Sequence, residues 1–156
     1  MIEKTIQRLS FLCDLIPSKV LAITEEELRF KPRPEKWSKL EILGHLIDSA
    51  TNNHQRFVRT QFEIQPRITY QQDNWNHFNN YNALPAKHVV DFWERYNRHL
   101  VEVIKAIPTD NLTRTCFTDK SEPLTLLWII EDYVRHLEYH LVQIVGAYDD
   151  HPVMNY

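Results

Sequence analysis

The sequence predicts an all-α fold, a four-helix bundle with long irregular connections. Three observations carry this: apolar residues recur at about a 3.6-residue period over long stretches, β-branched alternation is scarce, and prolines stand where one period stops and the next begins. The 156 residues read as a single domain, 1–156, without internal repeat or low-complexity tract. A chain of that length removes about 70% of its unfolded surface from water on folding.

The first helix is expected over residues 2–16, on Ile6, Leu9, Leu12, Leu15 and Ile16, with a break or kink at Pro17, which has no N–H to continue the ladder. A short turn starts at Thr24, whose hydroxyl can cap Glu25, Glu26 and Glu27, acids well placed against the helix dipole. Lys31 to Trp37, with Pro32 and Pro34, reads as extended. Ser38 followed by Glu41 is a capping box, and Leu40, Leu43, Leu46, Ile47, Ala50, Phe57 and Val58 carry a second helix over 38–63. Residues 66–84 show no clear period; they mix Tyr70, Trp75, Phe78 and Tyr81 with Asn74, Asn76, Asn79 and Asn80, and a structureless stretch of that length usually covers or builds a site. Pro85 suits the first turn of a third helix over 85–107, with Val89, Trp93, Tyr96, Leu100, Val103 and Ile107 on one face until Pro108. After a polar connection over 109–122 comes a fourth helix, 124–147, rich in Leu, Ile and Val.

Composition narrows the function. A net charge of -3 offers no bulk attraction to phosphate backbones or anionic membranes, so no nucleic-acid partner and no membrane association are expected. The longest apolar run is Leu126 to Ile130, far short of the roughly 20 residues a bilayer needs, and the amino terminus lacks a secretory core; a cytoplasmic protein is expected. Cys13 and Cys116 form no CxxC and read as buried small hydrophobes. Only 2 glycines exclude glycine-rich phosphate loops and nucleophile elbows. With 8 histidines, imidazole is the chemistry to follow.

On the fourth helix, at about 100° per residue, Leu126, Ile130, Tyr133, Val134, Leu137, Leu141, Ile144, Val145 and Tyr148 form the core arc. Glu131, Arg135 and Glu138 form a solvated stripe, while Asp132, His136, His140 and Gln143 make a separate stripe without lysine or arginine, which suggests a polar cleft. His136 and His140 are i and i+4, about 6 Å apart along the axis, so both rings can converge on one ion; two satisfied histidines on a half-buried face fit the same spacing. The string is not HExxH, because Glu138 points away from both rings, and a zincin reading fails. A third ligand is required. On the second helix His45, Ser49, Asn52 and Arg56 share a polar stripe with Asp48 at its border, whereas His54 falls on the apolar seam. Periodicity favours His45 as the cleft histidine, a solvated face explains it equally well, and helix packing decides.

These residues resemble a known family, the DinB/YfiT-like metal-dependent enzymes. The likeness lies in Lys36-Trp37-Ser38, in Gly44-His45-Leu46-Ile47-Asp48-Ser49, in Tyr70 and Trp75, and in Tyr133-Val134-Arg135-His136-Leu137-Glu138-Tyr139-His140 followed by Gln143-Ile144. The sequence departs from the pattern at Tyr70-Gln71-Gln72-Asp73, where a Tyr-Asp-Glu run is expected. The resemblance implies a bundle whose divalent metal, zinc or nickel, is held by His45, His136 and His140. It also implies pairing into a homodimer.

Two functions follow. In the first, a three-histidine metal activates water or a low-molecular-weight thiol in a hydrolase or thiol-dependent transferase acting on a small molecule. Asp48 or Asp132 would orient ligands or act as a base, with Asn52, Arg56 and Trp75 contacting substrate, although ordinary roles on helix surfaces or in the core suit each of them. In the second, the bundle is a dimeric metal- or ligand-binding protein without turnover.

Overall fold

The computed structural model describes residues 2–148. Helix α1 spans Ile2–Leu21 and carries Pro17 inside it, so the break expected there does not occur. Proline cannot bond to the Cys13 carbonyl four residues back, and that carbonyl instead accepts from Arg98 Nη2 at 3.3 Å, which offsets the missing ladder bond. Helix α2 (Glu25–Arg29) starts as expected, with the Thr24 hydroxyl accepting from the Glu27 amide.

Helix α3 (Lys39–Arg59) opens on the Ser38/Glu41 capping box. It ends four residues short of the expected 63, because Thr60 to Glu63 fold into turns whose carbonyls are taken by Arg114: Nε donates to Thr60 O at 2.7 Å and Nη2 to Glu63 O at 3.0 Å. The stretch 66–84 is not structureless. It contains α4 (Gln72–Asn79), ended by Asn80 at φ 50, and a 3-10 turn at Tyr81–Ala83. The α4 anchors are hydrogen bonds rather than an apolar stripe: Asn76 Nδ2 donates to Glu41 O at 2.7 Å and Asn79 Nδ2 to Asp48 Oδ1 at 2.8 Å. A helix held by amides leaves no hydrophobic period to detect.

Helix α5 (Ala86–Lys105) lies within two residues of its expected bounds. The connection after it holds a 3-10 turn, Thr109–Thr113, and a strand, β1 (Thr115–Cys116), paired antiparallel with β2 (Leu124–Thr125) in the register Thr115↔Thr125 and Cys116↔Leu124. Because Leu124 and Thr125 are spent on this ribbon, α6 begins at Leu126 instead of 124, with Thr125 accepting from the Trp128 amide, and ends at Val145 before Gly146 at φ 74.

Helix α1 packs on α5 and α6, and α3 packs on the same two, so the order around the bundle is α1, α5, α3, α6. Leu9, Leu12, Ile16, Leu46, Phe57, Trp93, Leu100, Ile130, Tyr133 and Leu137 fill the centre. Each large apolar side chain withdrawn from water contributes about 1.5–3 kcal/mol. Cys13 and Cys116 are buried free thiols as expected, and burial pushes the Cys13 thiol up to about 12. Glu138, expected in a solvated stripe, is half-buried in an ion pair with Arg8 of α1. Among the described residues no helix is long and apolar enough to cross a membrane.

Candidate metal centre and adjoining cavity

Helices α3 and α6 are neighbours in the bundle, and the polar stripes read from their sequences face each other across that contact. His45 of α3 is 1% exposed, with Trp37 set against its ring at 4.9 Å between centroids; the segment before Trp37, expected to be extended, folds into bends and turns over 32–36, closed by Lys36 N donating to Arg33 O at 3.0 Å. From α6 come His136 and His140, one turn apart, with ring centroids 4.7 Å from one another. They stand 5.1 and 4.9 Å from His45. His45 Nε2 lies 3.2 Å from His136 Nε2, and one ring nitrogen from each of the three histidines falls within 4.8 Å of the others. The far nitrogen of His136, Nδ1, is 3.5 Å from Ser49 Oγ.

Burial, with the His140 charge added, lowers His45 to about 3. Burial followed by His45, His140 and Arg56 lowers His136 to about 3 as well. His140 is lowered by burial, partly opposed by its hydrogen bond with Gln143. The three rings are therefore neutral at pH 7, the protonation state a cation requires of an imidazole ligand. Among the described residues, the buried Nδ1 atoms of His45 and His140 also have no hydrogen-bond partner. Three neutral imidazoles that each bring one ring nitrogen within 4.8 Å of the others fit a divalent ion better than they fit one another. His54 stands apart: its Nδ1 is 3.1 Å from Tyr96 Oη and its ring packs against His99.

Beside His136 opens a cavity of about 630 Å³ between α3, α6, the start of α4 and the 118–124 loop. Ser49, Asn53 and Arg56 of α3, Tyr70, and Trp128, Asp132 and Tyr133 of α6 line it. A second cavity of about 620 Å³, lined by Arg33, Lys36, Trp37 and Gln143, lies on the Trp37 side of the cluster, and Gln72 and Asp73 border both.

The structure sorts the remaining residues singled out from sequence. Asp132 lines the cavity and pairs with Arg135 at 3.3 Å, so this stripe carries an ion pair after all. Arg56 also lines the cavity. Asp48 does not; its buried Oδ1 accepts from Tyr81 Oη at 2.6 Å and Asn79 Nδ2 at 2.8 Å, and burial pushes its carboxyl up to about 6 against those two hydrogen bonds. Asn52 is buried with its amide donating to the Asp48 carbonyl of its own helix. Trp75 lies behind Tyr70, ring edge to ring at 5.9 Å, and Tyr70 takes the cavity wall in its place. Asn53, Tyr133 and Trp128 were missed as cavity residues. Asn52 lies within the His45 stripe and Asn53 at its edge, and only the rotation of α3 against α6 chooses between them.

A four-helix bundle with three histidines gathered between two of its helices defines the class of protein. The chain belongs to the DinB superfamily, whose family model matches residues 2–144. It is 25% identical over 150 residues to a Halalkalibacterium halodurans protein named as a candidate metal-dependent hydrolase, with 93% of this chain and 87% of that one aligned. An Oceanobacillus iheyensis protein with the same kind of name is 23% identical over 146 residues, covering 93% and 84%. Among solved structures, YfiT from Bacillus subtilis, described as a probable metal-dependent hydrolase with an unusual four-helix bundle topology, superposes with a TM-score of 0.83 at 22% identity, covering 91% of this chain and 82% of YfiT. The mycothiol-dependent maleylpyruvate isomerase superposes with a TM-score of 0.77 at 11% identity, over 94% of this chain and 61% of that enzyme.

Proposed function

We propose that this chain is a metal-dependent enzyme acting on a small molecule, with His45, His136 and His140 as the ligands of one divalent cation, zinc or nickel. The observation that carries the reading is the meeting of three neutral imidazoles from two helices beside an open cavity. Three protein nitrogens leave a coordination position for water or substrate, the arrangement of catalytic rather than structural sites. When bound, such a cation supplies Lewis acidity that favours the deprotonated form of a water or thiol nucleophile.

The chain's own residues set the surroundings. Ser49 Oγ, 3.5 Å from His136 Nδ1, orients that ring from behind. Asp132, one helical turn before His136 and on the cavity wall, is placed to take a proton from a nucleophile. Asp48 positions α4 through Tyr81 and Asn79 rather than meeting substrate. The second cavity, lined by Arg33 and Lys36 together with Glu35 and Asp73, gives room for a second molecule, as a transferase using a low-molecular-weight thiol would need. The names of the Halalkalibacterium halodurans and Oceanobacillus iheyensis relatives favour a hydrolase. We expect a homodimer; Val58 and Phe92, both exposed on neighbouring helices, support a pairing face, and sedimentation at the monomer mass at high concentration would exclude it.

The reading is tested by dialysis of zinc against wild type and the His45→Ala, His136→Ala and His140→Ala variants. One ion per chain in wild type, with severe weakening in each variant, is expected. Equal metal content in all four proteins would overturn the site. Conjugation of a thiol to an electrophile, compared with ester hydrolysis by the zinc-loaded protein, separates transferase from hydrolase.

A further inference from the structure

Arg56 sits on α3 seven residues past Ser49, about 10 Å further along the axis, on the stripe that leads away from His136. Its side chain is buried, with the whole residue 8% exposed, yet it lines the cavity. A guanidinium has five N–H donors. Three are used: Nε and Nη2 both donate to Ile68 O, at 3.2 and 2.9 Å, and Nη1 donates to Asn53 Oδ1 at 3.2 Å. Every partner is a neutral oxygen. Among the described residues no carboxylate lies within ion-pair distance of Arg56, and Asp119 and Asp132 act on it only from further off. Asp132 spends an oxygen on Arg135. One N–H therefore remains on each terminal nitrogen of a buried cation at the wall of a cavity.

Holding the Ile68 carbonyl and the Asn53 side chain in place accounts for the first three donors and not for the charge. A neutral amide would serve that carbonyl without the desolvation penalty, and burial does lower the Arg56 pKa. Two N–H groups on adjacent nitrogens match the two oxygens of a carboxylate. Tyr70, Trp128 and Tyr133 supply aromatic wall for an apolar or planar body. Asp73 and Asp119, exposed at the mouth beside Lys120, and Asp132 on the wall outnumber that one lysine and oppose a dianion such as phosphate more than a monoanion.

We infer that Arg56 anchors the carboxylate of the substrate, so that the cavity takes a small monocarboxylate whose anionic end lies at Arg56 and whose reacting end lies toward His136. The position of the reacting end rests on the metal-enzyme reading above; the anion site itself does not.

The test uses the full-length protein after dialysis against EDTA, so that a cation cannot bind the anion. Calorimetric titration with benzoate, with its neutral isostere benzamide and with inorganic phosphate is compared between wild type, Arg56→Met and Arg56→Lys. Wild type is expected to prefer benzoate over benzamide by about tenfold, Arg56→Met to lose that preference, and Arg56→Lys to keep part of it. In wild type labelled with ¹⁵N-arginine, the Arg56 Nε–H signal is expected to shift with benzoate and not with benzamide, a readout that stands even where Arg56→Met fails to fold. Equal affinities for benzoate and benzamide in wild type, an unmoved Arg56 signal, full preference in folded Arg56→Met, or tighter binding of phosphate than of benzoate would each overturn the assignment. A protein that binds no zinc but prefers benzoate through Arg56 would remove the metal reading and leave this one standing.

Discussion

Tyr81 rests its ring on the backbone of Gly44: a Cβ built at Gly44 would stand 2.1 Å from Tyr81 Cδ2 and 2.2 Å from Cγ. The residue before His45 is thus a glycine because the chain after α4 comes down onto α3 at that point. The ring cannot retreat freely, since its hydroxyl donates to buried Asp48 at 2.6 Å. Glycine inside a helix costs about 1 kcal/mol against alanine, and here the close approach offsets that cost.

Gly44→Ala is accordingly expected to lower stability by about 1–3 kcal/mol net of the gain in helix propensity. Urea denaturation at unchanged m-value measures it. A variant more stable than wild type would mean that Tyr81 moves aside without loss.

Asp48 carries a carboxyl raised to about 6 by burial. A raised acid contributes stability that is fully present below its unfolded value, near 4, and lost as pH rises through about 6. Asp48→Asn keeps an oxygen for Tyr81 and Asn79 and removes the ionisation. The variant should exceed wild type by about 1–3 kcal/mol at pH 8 and approach it near pH 4. Tyr81→Phe takes away a donor and should be less stable than wild type at pH 7. A gap between Asp48→Asn and wild type that does not change with pH would show that Asp48 stays charged throughout.

The histidine cluster acts in the opposite direction. His45 and His136 are held near 3, so below about 6.5 the unfolded chain takes up protons that the folded cluster refuses. Metal-free protein should lose stability as pH falls from about 6.5 towards 3, with each of the two histidines contributing up to about 1.4 kcal/mol per pH unit. Asp48 partly masks the slope between about 4 and 6. His136→Gln should flatten it, as followed by thermal unfolding in EDTA. An identical slope in that variant would place the proton uptake elsewhere.

His54, hydrogen-bonded to Tyr96 and edge-to-face with His99, lies outside the three-histidine cluster. His54→Ala should leave zinc stoichiometry at the wild-type value while His136→Ala abolishes it, as measured by metal analysis after gel filtration. Loss of zinc in both variants would point to a different ligand set.

The four long helices were legible because each buries an apolar stripe, and a period of that length survives in sequence whatever the partner helix is. The Ser38/Glu41 cap and the Thr24 cap were legible for a similar reason: the bonds span three residues of one segment. That α1 does not break at Pro17 could not be read locally, because the group that compensates it, Arg98, is 85 positions away. Helix α4 and the β1–β2 ribbon were missed because neither buries a stripe. The first hangs on Asn76 and Asn79, and the second is two residues long in each strand.

The sequence by itself determined which faces of the second and fourth long helices are polar, and that His45 and the His136/His140 pair lie on them, because side-chain direction follows from local backbone geometry. Only the tertiary structure decided that these faces meet. The rotation of α3 against α6 is set by how the core side chains of all four helices interlock, which no single segment encodes. That rotation brings His45 to His136, opens the cavity on the Asn53 and Arg56 side rather than at Asn52, and turns Asp48 towards Tyr81.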